Sequence, residues 1–103
     1  MKTIEVTVVR IYLNEHDGRL ESVLRRLHDW EKVRGVTVFR GISGFGDSGE
    51  IQSARLVDLS LSLPVVVEFF DEPAKVAKII EHLADAIKPD HILHWTAHVN
   101  QRD

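Results

Sequence analysis

Two kinds of hydrophobic periodicity follow one another along this chain, and their order constrains the fold more than any other feature. Four segments are rich in β-branched residues or alternate in polarity, as strands do: residues 4–13, 36–40, 59–70 and 91–99. Two segments have the three- and four-residue apolar spacing of a buried helix face: residues 20–30 and 76–87. The order is therefore β-α-β-β-α-β. Right-handed crossovers then predict an α+β, ferredoxin-like fold, a four-stranded antiparallel sheet with both helices on one face.

Residues at the segment boundaries predict how the helices begin and end. Asp17 is the expected N-cap of the first helix, and Gly35 is its expected C-cap glycine. Asp71 is the expected cap of the second helix. Trp30 and Trp95 lie on apolar stripes, where a large aromatic side chain usually belongs to the core.

The bulk composition describes one small acidic domain. The 103 residues suffice for a single domain over 1–103, and 44% of them are hydrophobic. The formal charge of −3 does not favour nucleic acid as a partner, and the lack of cysteine excludes disulfides and thiolate sites. Glu5 and Arg10 interrupt the first apolar run, and no stretch reaches the roughly 18 apolar residues of a membrane span. We expect neither a signal peptide nor direct membrane insertion, and a cytoplasmic location.

Both faces of the predicted sheet are substantially apolar. The first strand directs Val6 and Val8 to one side and Val9 and Ile11 to the other. Two helices cover one face only, and a contiguous exposed apolar patch usually marks an interface. We therefore expect a homo-oligomer that buries the uncovered face, either a closed ring or a dimer. The alternative to an oligomer is a monomer whose uncovered sheet face is exposed to solvent, with scattered apolar residues on it.

A glycine-rich segment, FRGISGFGDSGE (39–50), lies between the second and third predicted strands. It does not open a helix, so it is not a dinucleotide-binding turn, and it lacks the Lys and Ser/Thr of a Walker loop. Backbone N–H groups in such a turn can still form an anion nest, with flanking arginines to neutralise a phosphate and a phenylalanine to stack on a base. A flexible hairpin connection accounts for the glycines about as well. The candidate ligand-binding residues belong to this loop, taken as 41–58, or to its base: Arg40, Gly41, Gly44, Phe45, Gly46 and Arg55.

Histidines and carboxylates do not form a recognisable catalytic or metal site in the sequence. His94 and His98 share a strand face but lie about 13 Å apart at about 3.3 Å per residue, and His91 points the other way. One metal ion cannot bind both within one chain, although a metal shared between subunits stays open. No nucleophile, base and orienting group fall in one predicted neighbourhood. We therefore predict that the protein is not an enzyme and has no resident cofactor.

The glycine segment and the strand that follows it resemble a known family. Gly41, Gly44, Phe45 and Gly46 match a G-x-x-G-[FY]-G motif, and residues 63–66 follow as L-P-V-V before an acidic helix start. On these motifs, and over nearly the whole chain, the sequence resembles domain of unknown function 190, which is similar to the PII signalling proteins.

That resemblance implies a function that the residues alone do not. It implies a trimer with its sheets facing inward and a mobile loop between strands two and three. It also implies that an adenine nucleotide, or another small anionic ligand, binds in the clefts between subunits near the base of that loop. The loop would then signal to a partner protein, and the resemblance suggests a membrane transporter or ion channel. Unlike PII, the chain has no tyrosine in the loop, since Tyr12 is its only one.

Two other functions remain open at this point. The protein could be a structural or adaptor trimer that acts through protein contacts and has no small ligand. It could also be a metal-binding trimer similar to CutA, which has a ferredoxin-like fold. With no cysteine and only Met1, soft metal ligands are absent from the sequence.

Overall fold

The computed structural model describes residues 1–46, 49, 51–53 and 63–102. Within them the chain forms six strands and two α-helices. They are β1 (Thr3–Asn14), α1 (Arg19–Arg25), β2 (Val36–Arg40), β3 (Ser43–Gly44), β4 (Gln52–Ser53), β5 (Pro64–Asp71), α2 (Pro73–Leu83) and β6 (Ile92–Asn100).

The main sheet has the topology that the sequence predicts. Its strand order is β2-β5-β1-β6, and every neighbouring pair is antiparallel. The ferredoxin-like α+β fold is therefore confirmed. The first and last strands pair along Thr3 to Ile11, and the Gln101 N–H donates to the Lys2 carbonyl at 2.9 Å. The two ends of the described chain thus lie side by side, at the opposite end of β1 from Asn14.

Both helices pack on the same face of this sheet. One cluster of buried apolar side chains joins strands and helices: Val9, Ile11, Leu13, Val65, Val67 and Phe69 from β1 and β5, Val23 and Leu27 from the first helical segment, Val76, Ile79 and Leu83 from α2, and Ile87. Burying each such side chain contributes roughly 1.5–3 kcal/mol, so this interleaving is the main source of stability. The opposite face of the main sheet, which we call the open face, has no helix on it within the described residues.

The first helix ends differently from the prediction. A π-helical turn over Arg26–Trp30 continues α1, with the Glu31 N–H donating to the Arg26 carbonyl at 3.0 Å. The wider turn carries Trp30 off the buried stripe, and the side chain is 77% exposed rather than in the core. Lys32, not Gly35, then takes the left-handed conformation, with φ 53. The Val33 N–H donates back to the Leu27 carbonyl at 3.1 Å, the closure that normally follows a C-terminal glycine.

The beginnings of both helices also differ from the prediction. Gly18, with φ 81, is the N-cap of α1, and the Asp17 side chain accepts from the Arg19 N–H at 2.9 Å one step further out. Glu72 is the N-cap of α2, while Asp71 ends β5 with its carboxylate buried. The Lys75 ammonium lies 3.0 Å from Asp71 Oδ2, an ion pair outside hydrogen-bonding geometry.

Lys75 also ties α2 to the end of the first helical segment. Its ammonium donates to the Lys32 carbonyl at 2.8 Å while it faces Asp71. One side chain therefore holds the left-handed Lys32 against the first turn of α2.

Neither helix within the described residues combines the length and hydropathy that crossing a membrane requires.

Candidate functional site

The base of the glycine loop lies where three strands end together. Residues at the end of β1, the end of β2 and the start of β5 come into register there, as Asn14 opposite Pro64 and Arg40 opposite Val65. Two backbone bonds fasten the chain at this edge. The Glu15 N–H donates to the Leu63 carbonyl at 2.9 Å, and the Gly41 N–H donates to the Pro64 carbonyl at 2.7 Å.

The Pro64 ring packs against two of the motif glycines, and it leaves less space for a side chain at Gly41 than at Gly44. A Cβ on Gly41 would lie 2.8 Å from Pro64 Cγ, and a Cβ on Gly44 would lie 3.3 Å from the same atom. Gly46 has open space around it, so its role is not set by such a contact. The glycine half and the Leu-Pro half of the sequence motif are therefore two sides of one contact.

Beyond this contact the loop begins as a short two-stranded sheet. Ser43 pairs with Ser53 and Gly44 with Gln52. The sequence predicted no strands here, although a hairpin connection was one of its two interpretations. Phe45 follows, with its ring 74% exposed, and further along the Gly49 N–H donates to the Gly46 carbonyl at 2.9 Å.

Arg40 carries the positive charge at the loop base. Its Nε and Nη2 atoms lie 3.3 Å and 3.0 Å from Glu15 Oε2, and its side chain is 63% exposed. The structure thus brings together Arg40, Gly41 and Gly44, with Phe45 leading away from them. Arg55, the second candidate arginine, lies outside the described residues, as does most of 47–62.

The open face forms a second surface of interest, and it is apolar with a charged centre. The large apolar side chains that remain 40–50% exposed on it are Ile4, Tyr12, Phe39, Leu93 and Trp95. At its middle, Arg10 Nε donates to Glu68 Oε1 at 2.7 Å, and the Arg10 guanidinium lies 5.7 Å from the centre of the Trp95 ring. Trp95 is therefore a surface residue of the open face and not the core residue that its apolar stripe suggested.

The Arg10–Glu68 pair was missed by the sequence interpretation. The hydrogen bond from Arg10 to Glu68, and after it the hydrogen bond to Tyr12, raises the pKa of Arg10 above its ordinary value. Residue parity could have placed both side chains on the open face, because Arg10 shares a face with Val8 and Glu68 shares one with Val66, but the strand register pairs them. At the far corner of the same face, the Arg34 guanidinium lies 5.4 Å from the Phe70 ring centre.

No three histidine, aspartate or glutamate side chains among the described residues lie close enough together to hold a metal ion. A metal ion shared between subunits, which the sequence left open as an alternative, is not tested by these contacts.

Comparisons with known proteins agree with this architecture. A UPF0166 protein of Aquifex aeolicus is 34% identical over 87 residues, covering 81% of this chain and 83% of that protein. Among solved structures, CPII of Thiomonas intermedia K12 has a TM-score of 0.71 at 17% identity, covering 97% of this chain and 92% of its own. That structure is of a nitrogen regulatory PII-like protein bound to ADP, AMP and bicarbonate.

CutA1 from Oryza sativa is a second structural neighbour, with a TM-score of 0.61 at 11% identity, covering 98% of this chain and 85% of its own. At these identities the likeness is one of fold, and the fold is PII-like. A family model, DUF190 (Uncharacterized ACR), matches residues 6–99. With nearly the whole chain matched and a relative above 30% identity, this protein belongs to the DUF190 family.

Proposed function

We propose that this protein is a PII-like regulatory protein that forms a homotrimer and binds an adenine nucleotide in clefts between subunits. The nucleotide binds beside the base of the glycine loop, and the loop acts on a membrane transporter or channel. The observation that supports the ligand proposal is the exposed guanidinium of Arg40 at the base of the loop, where backbone hydrogen bonds hold the chain to the edge of the sheet. A structural neighbour with the same fold is bound to ADP and AMP.

The chemistry of the loop base suits a nucleotide. A guanidinium presents parallel N–H donors that match two phosphoryl oxygens. The exposed Phe45 ring, five residues further along, offers a face on which a base can stack, a contact worth about 1–3 kcal/mol per base in single-stranded nucleic acid binding. Charge recognition by Arg40 and stacking on Phe45 would together recognise both ends of the ligand.

The open face supports the assembly part of the proposal. Its exposed tryptophan, leucine, isoleucine, phenylalanine and tyrosine side chains lie on one continuous sheet surface. Contiguous apolar patches of this kind usually mark interaction sites. Other copies of the chain would cover it in the trimer, and the Arg10–Glu68 pair would enter that interface with its charges already matched.

A second candidate function, an adaptor without a small ligand, is favoured by one observation. The described part of the loop exposes Ile42, Phe45 and Ile51, each at least 73%. Three large apolar side chains on one arm suit contact with another protein. In this case the trimer would form and signal through the arm without any nucleotide.

Calorimetry and solution mass together test these functions. ADP, AMP and ATP are titrated into the protein, and its mass is measured by light scattering at the same concentration. Saturable heat from an adenine nucleotide and three times the monomer mass support the first function. A trimer that gives no heat and no melting shift with any nucleotide supports the adaptor instead. A stable monomer at micromolar concentration would contradict both.

A further inference from the structure

The ion pair between Arg40 and Glu15 places a carboxylate where the proposed function places a phosphate. Glu15 is the first residue after β1, and its backbone N–H donates to the Leu63 carbonyl at 2.9 Å. Its side chain is 25% exposed, whereas the Arg40 side chain is 63% exposed. The carboxylate is therefore the more anchored of the two groups, and it reaches the arginine from the fixed edge of the sheet.

The geometry of this pair leaves it open to exchange. Both Arg40 donors, Nε at 3.3 Å and Nη2 at 3.0 Å, are directed to the single oxygen Oε2 of Glu15. A guanidinium binds most strongly when its two parallel donors meet two separate oxygens. A phosphoryl group supplies those two oxygens, so it can satisfy Arg40 better than Glu15 does. Exposed pairs of this kind are also weak.

We infer that Glu15 is an intramolecular competitor that occupies Arg40 until a phosphoryl group displaces it, and so sets the affinity of the nucleotide site. This inference rests on the proposed function, because it concerns the regulation of that same site. A ligand without a phosphoryl group, such as adenosine, gains nothing from displacing Glu15. The competition therefore weakens the binding of phosphorylated ligands and leaves the binding of adenosine unaffected.

The decisive variant is Glu15→Gln. The amide keeps the size of the side chain and an oxygen that can accept from Arg40, but it removes the charge that competes with the ligand. We expect the Kd for ADP to fall about two- to fivefold, the range that corresponds to an exposed ion pair. Inorganic pyrophosphate should gain by a similar factor, whereas the binding of adenosine should not change.

A matched control separates local competition from the overall change in charge. Glu81 lies exposed on α2, and Glu81→Gln removes the same charge from the helix-covered side of the sheet. It should leave every Kd unchanged. In an Arg40→Ala background, Glu15→Gln should also have no effect, since the group for which it competes is gone. Thermal melts of all variants confirm that each is folded.

The possible outcomes separate a failure of the Glu15 inference from a failure of the proposed nucleotide binding. ADP binding by the unaltered protein, with no gain in Glu15→Gln, overturns the inference and leaves the proposed function standing. An equal gain with adenosine, with Glu81→Gln, or in the Arg40→Ala background overturns it too, because the effect then does not arise at Arg40. If neither the unaltered protein nor Glu15→Gln binds ADP, the proposed function and the inference fail together.

Discussion

The Gly41 N–H donates to the Pro64 carbonyl at 2.7 Å, and the ring of the same proline fills the space that a side chain at residue 41 would need. This relationship fixes where the glycine loop leaves the main sheet. It also explains a glycine that conformational freedom does not, because Gly41 does not have a positive φ.

Gly41→Ala should destabilise the fold by about 1–3 kcal/mol, the usual cost of forcing extra atoms into a packed site. The new Cβ would lie 2.8 Å from Pro64 Cγ and 3.2 Å from the Pro64 carbonyl oxygen, and that oxygen belongs to the backbone of β5, which is paired with β1. Urea unfolding measures the change. Gly46→Ala, with nothing within 4 Å, is the control and should cost much less. Equal costs would show that the Pro64 contact does not constrain residue 41.

Lys32→Gly should stabilise the protein, by about 0.5–1 kcal/mol. Lys32 has φ 53, a conformation that costs an ordinary residue about 1–2 kcal/mol. Glycine avoids this cost, but it regains only part of the free energy because it is more flexible when unfolded. The backbone carbonyl that accepts from Lys75 is kept. Denaturant unfolding against Lys78→Gly, a change within α2 that should destabilise by about 1 kcal/mol, gives opposite signs for one chemical substitution. A loss of stability in Lys32→Gly would contradict the expectation.

Lys75→Met should cost about 1–3 kcal/mol, because it leaves the buried Asp71 carboxylate without its cation and removes the tie to Lys32. The Asp71 side chain is 5% exposed, so solvent screens little of that loss. Lys78→Met, on an exposed position of the same helix, is the matched control and should change stability by less than about 0.5 kcal/mol. The free energy of unfolding at neutral pH measures both. Indistinguishable variants would mean that the pair adds nothing to stability.

Leu93→Glu should dissociate the proposed trimer. Leu93 lies on the open face and is 50% exposed, so its replacement is tolerated in a single chain. It adds a second carboxylate opposite Arg10, which already pairs with Glu68, and so leaves excess negative charge in the interface. Light scattering should give the monomer mass, while circular dichroism stays that of a folded protein. Lys78→Glu adds negative charge on α2, and its mass should remain that of the unaltered protein. An unchanged mass for Leu93→Glu would place the interface elsewhere.

Arg40→Ala should weaken ADP binding about 10-fold or more, since it removes the charge-assisted bonds to the phosphoryl groups. Arg40→Lys, which keeps the charge but not the parallel donors, should recover only part of the affinity. Calorimetry with ADP measures both Kd values. Unaltered affinity in Arg40→Ala would remove Arg40 from the site and leave the second candidate arginine, Arg55, to be tested alone.

Most of the fold could be predicted because the signals for it are local. β2 spans the predicted residues 36–40, and the parity of β5, and of β1 from Val9 onward, separates the buried face from the open one. The end of the first helix could not be predicted, since the turn at 26–30 and the left-handed Lys32 depend on contacts with Leu27 and α2. Neither Trp30 nor Trp95 could be placed correctly from its apolar stripe alone.

The candidate site was predictable in part. The glycine motif pointed to Gly41, Gly44 and Arg40, which the structure brings together at the loop base. Glu15 was missed because it lies 25 residues from Arg40 and reaches it only after β1, β2 and β5 have aligned their ends. Such a contact follows from strand register, which sequence periodicity does not supply.

The pairing of β1 with β6 has a practical consequence for work on this protein. Lys2 and Gln101 are hydrogen-bonded neighbours, and the glycine loop leaves the sheet at the other end of the twelve-residue β1, about 40 Å away at the rise of an extended strand. A fluorophore or a tethering point can therefore be attached beside Lys2 or Gln101, at one shared corner. Surface immobilisation through that corner would present the loop to the solution and keep the handle clear of any nucleotide or protein under study.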